Sequence, residues 1–277
     1  MLSGKQIGVI ASVVVLVVAL YLLPVKGLVA PESETSGEAG AGAVTEAVFS
    51  RADLVAAAKQ NIKPSLLVDL ESLEKELEAN PDDTVVLKKV ASQWEGLNVT
   101  SVSGLYYLEL AEKHSTAENW LKAGNMLRDG YRAANDTLQR SFLANKALTA
   151  YQSAVDLDPE NLDAQTGLGT VTVEGGGAPM KGIQILLGVV EKDPENAAAN
   201  LALGKFSMQS GQYEKARDRF LTVVNKKPGG EVYFYLGEAY RQLGDKKKAI
   251  EAYETTKRYI VDQRFSTMVD NIIKGLK

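Results

Sequence analysis

Apolar residues follow two different patterns along this chain. Over residues 7–23 they form an unbroken run of 17 residues without a charge, whereas beyond residue 43 they recur every three or four residues with polar ones between. The first pattern predicts a helix that is apolar all round. At ~1.5 Å per residue it is about 26 Å long, close to the ~30 Å core of a bilayer. The second predicts amphipathic helices that each bury one face. Leu66, Leu70, Leu73 and Leu77 mark one such stripe after Pro64, and Phe265, Met268, Ile272, Ile273 and Leu276 mark another at the end of the chain. Between the two patterns lies PESETSGEAGAGA, residues 31–43, with no core-forming residue. As a flexible coil it has an end-to-end distance of ~20 Å.

The helical part repeats itself. Ala147, Gly182, Ala216 and Ala249 follow one another at intervals of 33 to 35 residues, and each stands four residues before a bulky one: Tyr151, Leu186, Phe220 and Tyr253. A second mark precedes each of these: Ala123-Gly124, Leu168-Gly169, Leu203-Gly204 and Leu236-Gly237. Three units close with Pro159, Pro194 and Pro228. Two antiparallel helices approach closely only where a side chain is nearly absent, so glycine or alanine is expected at the crossing points and large residues between layers. Proline cannot continue the second helix, and the chain turns into the next unit.

These marks, in register, resemble the tetratricopeptide repeat, a helix-turn-helix unit of about 34 residues. The resemblance implies an all-α fold, an α-solenoid of helical hairpins, in which each hairpin hides its apolar face by stacking on its neighbours. The expected organisation is an N-terminal transmembrane anchor at 1–30, a linker at 31–43, and N-terminal helices with a degenerate unit at 44–116. Four units follow at 117–161, 162–196, 197–229 and 230–263, and a capping helix at 264–277. The unit at 117–161 holds about eleven extra residues before Ala147, read as lengthened helices because Leu138, Phe142 and Leu143 keep helical spacing. In the next unit Gly175-Gly176-Gly177-Ala178-Pro179 replaces the usual short turn, and a mobile loop is expected there. Upstream, Leu87, Val90-Ala91 and Trp94, then Gly104, Leu108 and Ala111, trace the degenerate unit, with Asn80-Pro81-Asp82-Asp83 as the turn before it. The leucine stripe at 66–77 also fits a coiled-coil seam but covers fewer than two heptads, and packing on the solenoid is the expectation.

The N-terminal run is read as a retained signal anchor, with a cleaved signal peptide as the rival reading. A cleavable apolar core usually has about 7–15 residues, and the nearest plausible cleavage site would leave Pro31 directly after Ala30. With Lys5 on the short side and Lys26 beyond the run, the default topology puts the N-terminus in the cytoplasm and the repeats in the periplasm of a bacterial inner membrane. Cysteine is absent, which excludes a lipoprotein anchor and any disulfide.

Composition narrows the function. The formal net charge is −4, which disfavours nucleic acid as a partner, and Lys246-Lys247-Lys248 reads as a solvated face beside Asp245 and Glu251. His114 is the sole histidine and reads as a helix C-cap. Neither a phosphate-loop, a dinucleotide fingerprint nor a nucleophile elbow is present. No catalysis, cofactor, metal site or small-molecule substrate is therefore expected.

What remains is binding to other proteins or peptides. In tetratricopeptide arrays the first helices of successive units line a concave groove for partner segments. Projected onto this sequence, that pattern gives Leu121, Asn125 and Arg128, then Thr166, Thr170 and Val173, then Leu201, Lys205 and Met208, and finally Phe234, Glu238 and Arg241. The clamp by which some family members hold the carboxylates of cytosolic chaperone tails is matched only at Asn125, so that subtype is disfavoured. The layout resembles membrane-anchored repeat proteins of the bacterial envelope that assist translocation, folding or assembly of exported chains. A receptor with its repeats in the cytosol is the alternative.

Overall fold

A computed structural model describes residues 50–175, 178–260 and 262–277. The apolar run at 7–23, the linker at 31–43 and Gly176-Gly177 of the glycine-rich loop lie outside the described residues. Among the described residues no helix is long and apolar enough to cross a membrane.

Thirteen α-helices and one short 3-10 turn account for the regular structure among the described residues, and no strand occurs there. α1 (Arg51–Lys59), the 3-10 turn Pro64–Leu66 and α2 (Val68–Ala79) lead into five helical hairpins. These are α3 and α4 (Thr84–Gly96, Thr100–Lys113), α5 and α6 (Ala117–Ala133, Thr137–Leu157), and α7 and α8 (Leu162–Glu174, Pro179–Lys192). The last two are α9 and α10 (Ala197–Gln209, Tyr213–Lys226) and α11 and α12 (Gly230–Gln242, Lys246–Tyr259), after which α13 (Gln263–Leu276) lies on the final hairpin. Each helix packs on the next in sequence from α2 onward. Residues 84–113 thus form a complete hairpin despite their weak match to the repeat.

Local chemistry explains where the helices start. Asp83, Asn161 and Asn196 cap α3, α7 and α9 by accepting backbone N–H bonds, and Thr116, Asp136, Asp245 and Asp262 do the same for α5, α6, α12 and α13. Three turns between first and second helices share one geometry: Asn98, Gly211 and Gly244 have positive φ. After each of them an N–H reaches back five residues, from Val99 to Trp94, Gln212 to Ser207 and Asp245 to Tyr240.

The hairpins close where the sequence places glycine. A Cβ on Gly124 would stand 2.9 Å from the ring of Tyr151, and one on Gly237 would stand 2.9 Å from Tyr253. At Gly204 the corresponding distance to Phe220 is 2.5 Å, and at Gly169 it is 2.8 Å to Leu186. Tyr151, Leu186, Phe220 and Tyr253 are fully buried in consecutive layers of the core. At roughly 25 cal/mol per Å2 of apolar surface these layers are the main source of stability, and none exists without its neighbour.

The unit at 117–161 departs from the others in length. α5 has 17 residues and α6 has 21, against 13 and 14 in each later hairpin. The extra turns project from the hairpin tip and are anchored: Gly130 lies against the backbone of Ser101, and Phe142 and Leu143 are buried. On the other side Tyr131 donates to the Glu174 carbonyl at 2.9 Å, and Arg132 grips the Glu174 carboxylate with bonds of 2.8 and 3.0 Å.

Candidate functional site

The first helices of successive hairpins pack side by side: α5 on α7, α7 on α9, and α9 on α11. The twelve residues projected from the sequence lie on these four helices, with Val173 turned against Gly182 of α8. Leu121, Asn125, Arg128, Val173, Leu201, Lys205, Met208, Phe234 and Glu238 are partly exposed there, and Arg241 is exposed. Thr166 and Thr170 are buried, because Gly167 between them lets Tyr151 press into the face and the neighbouring first helices close over this stretch.

The polar members of this face are not free. Asn125 accepts a bond of 2.8 Å from the Tyr151 hydroxyl, and Glu238 accepts one from the Tyr253 hydroxyl. Glu238 also takes two bonds from Arg241, at 2.6 and 3.2 Å. Lys205 pairs with Glu231 and stands 5.0 Å over the ring of Tyr235. Arg128 is paired with Asp129 at 3.1 Å. Burial and the neighbouring Glu238 hold the Tyr253 phenol well above its ordinary pKa, and burial does the same for Tyr151.

Sequence reasoning missed the aromatic cluster at the last unit. Phe234 meets Tyr235 and Tyr253 at 5.9 Å and Phe265 of α13 at 5.5 Å, centroid to centroid. Tyr235 stacks on Phe220 at 5.7 Å. The signal available was the density of aromatics in EVYFYLGEAY, but which rings meet depends on how α13 folds back. The face is therefore an apolar and aromatic floor, from Leu201 and Met208 to Phe234 and Tyr235, edged by charges already satisfied within the chain. Such a surface holds a partner chain by apolar anchors, with polar groups fixing its register. Among the described residues no cluster of histidine, cysteine, aspartate or glutamate could hold a metal ion.

Val85, Lys88, Lys89 and Ser92 follow the spacing of one helix face on α3 and are all exposed. Glu95, one turn further, bonds Lys122 of α5 at 2.6 Å and accepts from the Tyr107 hydroxyl at 3.0 Å. The Lys122 ammonium holds the Glu95 carboxyl below the usual carboxylate range.

Two overlapping segments, residues 177–236 and 230–258, match sequence models of the tetratricopeptide repeat. No curated protein matches the chain. Among solved structures, a tetratricopeptide repeat protein from Parabacteroides merdae is 15% identical, with a TM-score of 0.56, over 81% of this chain and 85% of that one. PilW, a widely conserved type IV pilus biogenesis factor, is 14% identical, with a TM-score of 0.53, over 82% of this chain and 98% of its own. The anaphase-promoting-complex hetero-tetramer Cut9-Hcn1 is 17% identical, with a TM-score of 0.56, over 85% of this chain and 47% of that chain. At such identities the likeness is one of fold. The described residues thus form an all-helical solenoid, and residues 177–258 of the chain match the tetratricopeptide repeat.

Proposed function

We propose that this protein is a scaffold held to a membrane of the cell envelope by its N-terminal run, and that the face built by its first helices binds segments of partner proteins. Tetratricopeptide proteins generally act as protein-interaction scaffolds, and this chain lacks the residue sets that common catalytic sites need. One observation carries the reading: partly exposed Leu121, Leu201, Met208 and Phe234 stand on three of the four first helices, α5, α9 and α11, where a solvated face would be polar. The apolar run at 7–23 and the polar linker at 31–43 support tethering, which raises the effective concentration of the solenoid near membrane-bound partners. The N-terminus would lie in the cytoplasm and the repeats in the periplasm, where they assist translocation, folding or complex assembly.

The test pairs two measurements. Leu201→Asp with Met208→Asp in the full-length protein should abolish co-purification of its partners while circular dichroism retains the helix content; partners retained at wild-type levels would overturn the assignment of the face. Protease added to spheroplasts should digest the repeats. Digestion only from the cytosolic side would overturn the topology.

A further inference from the structure

The two helices that carry the apolar floor, α9 and α11, pair all of their charges among themselves. α9 holds one charged residue, Lys205, and α11 holds Glu231, Glu238 and Arg241. Lys205 pairs with Glu231, and Arg241 donates to Glu238 at 2.6 and 3.2 Å. The Tyr253 hydroxyl donates to the other oxygen of Glu238, whose side chain is only 18% exposed. The Lys205 ammonium also stands 5.0 Å over the Tyr235 ring, so its second contact lies within the chain as well. Two bases thus meet two acids, and the helices carry no net charge.

The apolar set between these charges is continuous. Leu201, Met208 and Tyr235 pack against the cluster of buried Phe220, and Phe234 meets Tyr235 at 5.9 Å and Phe265 of α13 at 5.5 Å. Leu201, Met208, Phe234, Tyr235 and Phe265 each keep part of their surface exposed. Toward the N-terminus the set ends at α7, where Thr166 and Thr170 are 6% and 7% exposed and Val173 is turned against Gly182. With neighbouring helices about 8–10 Å apart, the stretch from α9 to Phe265 measures ~18 Å, which about five or six extended residues cover.

We infer that this floor takes an uncharged stretch of about six aliphatic and aromatic residues of a partner protein. The inference rests on the reading of the face proposed above and names the class of segment that it binds. A charged side chain laid on the floor would lose its hydration and could be met only by breaking one of the internal pairs. A cation that took Glu231 would strand the mostly buried Lys205, and an anion that took Arg241 would strand Glu238. An apolar side chain meets neither cost and gains by covering Leu201, Met208, Phe234 and Phe265. The same argument holds for a chain end: with both cations of α9 and α11 already paired, the floor does not read a terminal carboxylate. Charge here works against the wrong segments while apolar area holds the right one. The Lys205–Glu231 pair, which bridges α9 and α11, fixes the spacing of the floor.

The test selects from a phage-displayed library of random peptides of about twelve residues, against the full-length protein in lipid nanodiscs, with empty nanodiscs removing peptides that bind lipid. The selected pool should be enriched in aliphatic and aromatic residues and depleted of both signs of charge. In a selected peptide made synthetically, replacing one apolar anchor by lysine or by glutamate should weaken binding about tenfold, alike for both signs. Amidation of its C-terminus, or a rise from about 0.05 to about 0.5 M salt, should change the affinity by less than about twofold. Leu201→Asp with Met208→Asp should lose these peptides while circular dichroism keeps the helix content. A pool enriched in charge of one sign, or binding that weakens about tenfold over that salt range, overturns the inference; if the double variant loses those peptides too, the face still stands as the site and only its chemistry differs. Uncharged peptides that the double variant retains overturn the inference and the reading of the face together. So does a full-length protein that captures no peptide, because another part of the chain or a second copy then covers the floor.

Discussion

At the scale of single residues, the floor of the binding face is set by what stands behind it. Where the second helix offers a tyrosine, the first helix answers with an acceptor: Asn125 for Tyr151 and Glu238 for Tyr253. Where it offers Phe220, which has no hydroxyl to satisfy, the same position is Lys205 and turns to Glu231 instead. Gly167 is the tightest contact, since a Cβ there would lie 2.1 Å from Cε1 of Tyr151. Gly167→Ala should therefore destabilise the protein by about 1–3 kcal/mol through overpacking. A double-mutant cycle with Tyr151→Leu should recover much of that loss, because the clash is with the ring itself; equal losses in both backgrounds would place the strain elsewhere. A second expectation concerns acid. The folded state depresses the pKa of Glu95 through Lys122, so this contact stabilises fully above the ordinary carboxylate range and is lost as pH falls through the depressed value. Lys122→Met should lower the urea midpoint near neutral pH, and the gap to wild type should narrow by about pH 3. The crossing glycines were legible in the sequence because they recur in every unit. Gly167 was not, because Lys122, Ala202 and Tyr235 stand at its place elsewhere.

At the scale of elements, turn geometry tells a repeat from an accidental hairpin. Gly211 and Gly244 occupy the left-handed region that lets the chain reverse, and Asn98 does so in the degenerate unit with the same backbone bonds. Asparagine is the residue that best tolerates this conformation after glycine, which is why the unit folds like the others while its sequence match fades. Gly211→Ala should cost about 1 kcal/mol, since alanine meets the left-handed penalty with nothing to offset it. Asn98→Gly should be neutral or slightly stabilising, and thermal unfolding of the two variants checks both signs. The long hairpin of α5 and α6 was legible as extra residues at helical spacing, but its purpose was not. Its tip holds the end of α7 through Tyr131 and Arg132, a contact between residues more than forty apart in sequence. Arg132→Ala should speed amide exchange at the end of α7 without changing α9 to α12.

At the scale of the whole solenoid, the open question is why such an array does not continue itself, since each hairpin is an adhesive surface for the next. The complete units place a small residue eight positions after the first-helix cap: Gly124 after Thr116, Gly169 after Asn161, Gly204 after Asn196, Gly237 after Gly229. In α13 the count from Asp262 ends on Asp270, and in α2 the matching position of the second helix is Asp69. Among the described residues both end helices, α2 and α13, thus carry an exposed carboxylate at that position. Lys257 holds Asp270 at 2.5 Å, so seating one copy's α13 beside another's α2 would bury that pair together with the Asp69 carboxylate, a desolvation cost that stacking of apolar surface does not recover. The fold of the repeats was readable from their marks, whereas the meaning of these two aspartates needed the burial pattern, because each lies in a segment that resembles the repeat least. Replacing both, as Asp69→Ala with Asp270→Ala, should give a protein that associates end to end with rising concentration in sedimentation velocity. Either replacement alone should do so more weakly, since one buried carboxylate still opposes contact. A double variant that sediments as wild type does would mean that the ends are kept apart by shape, not by charge.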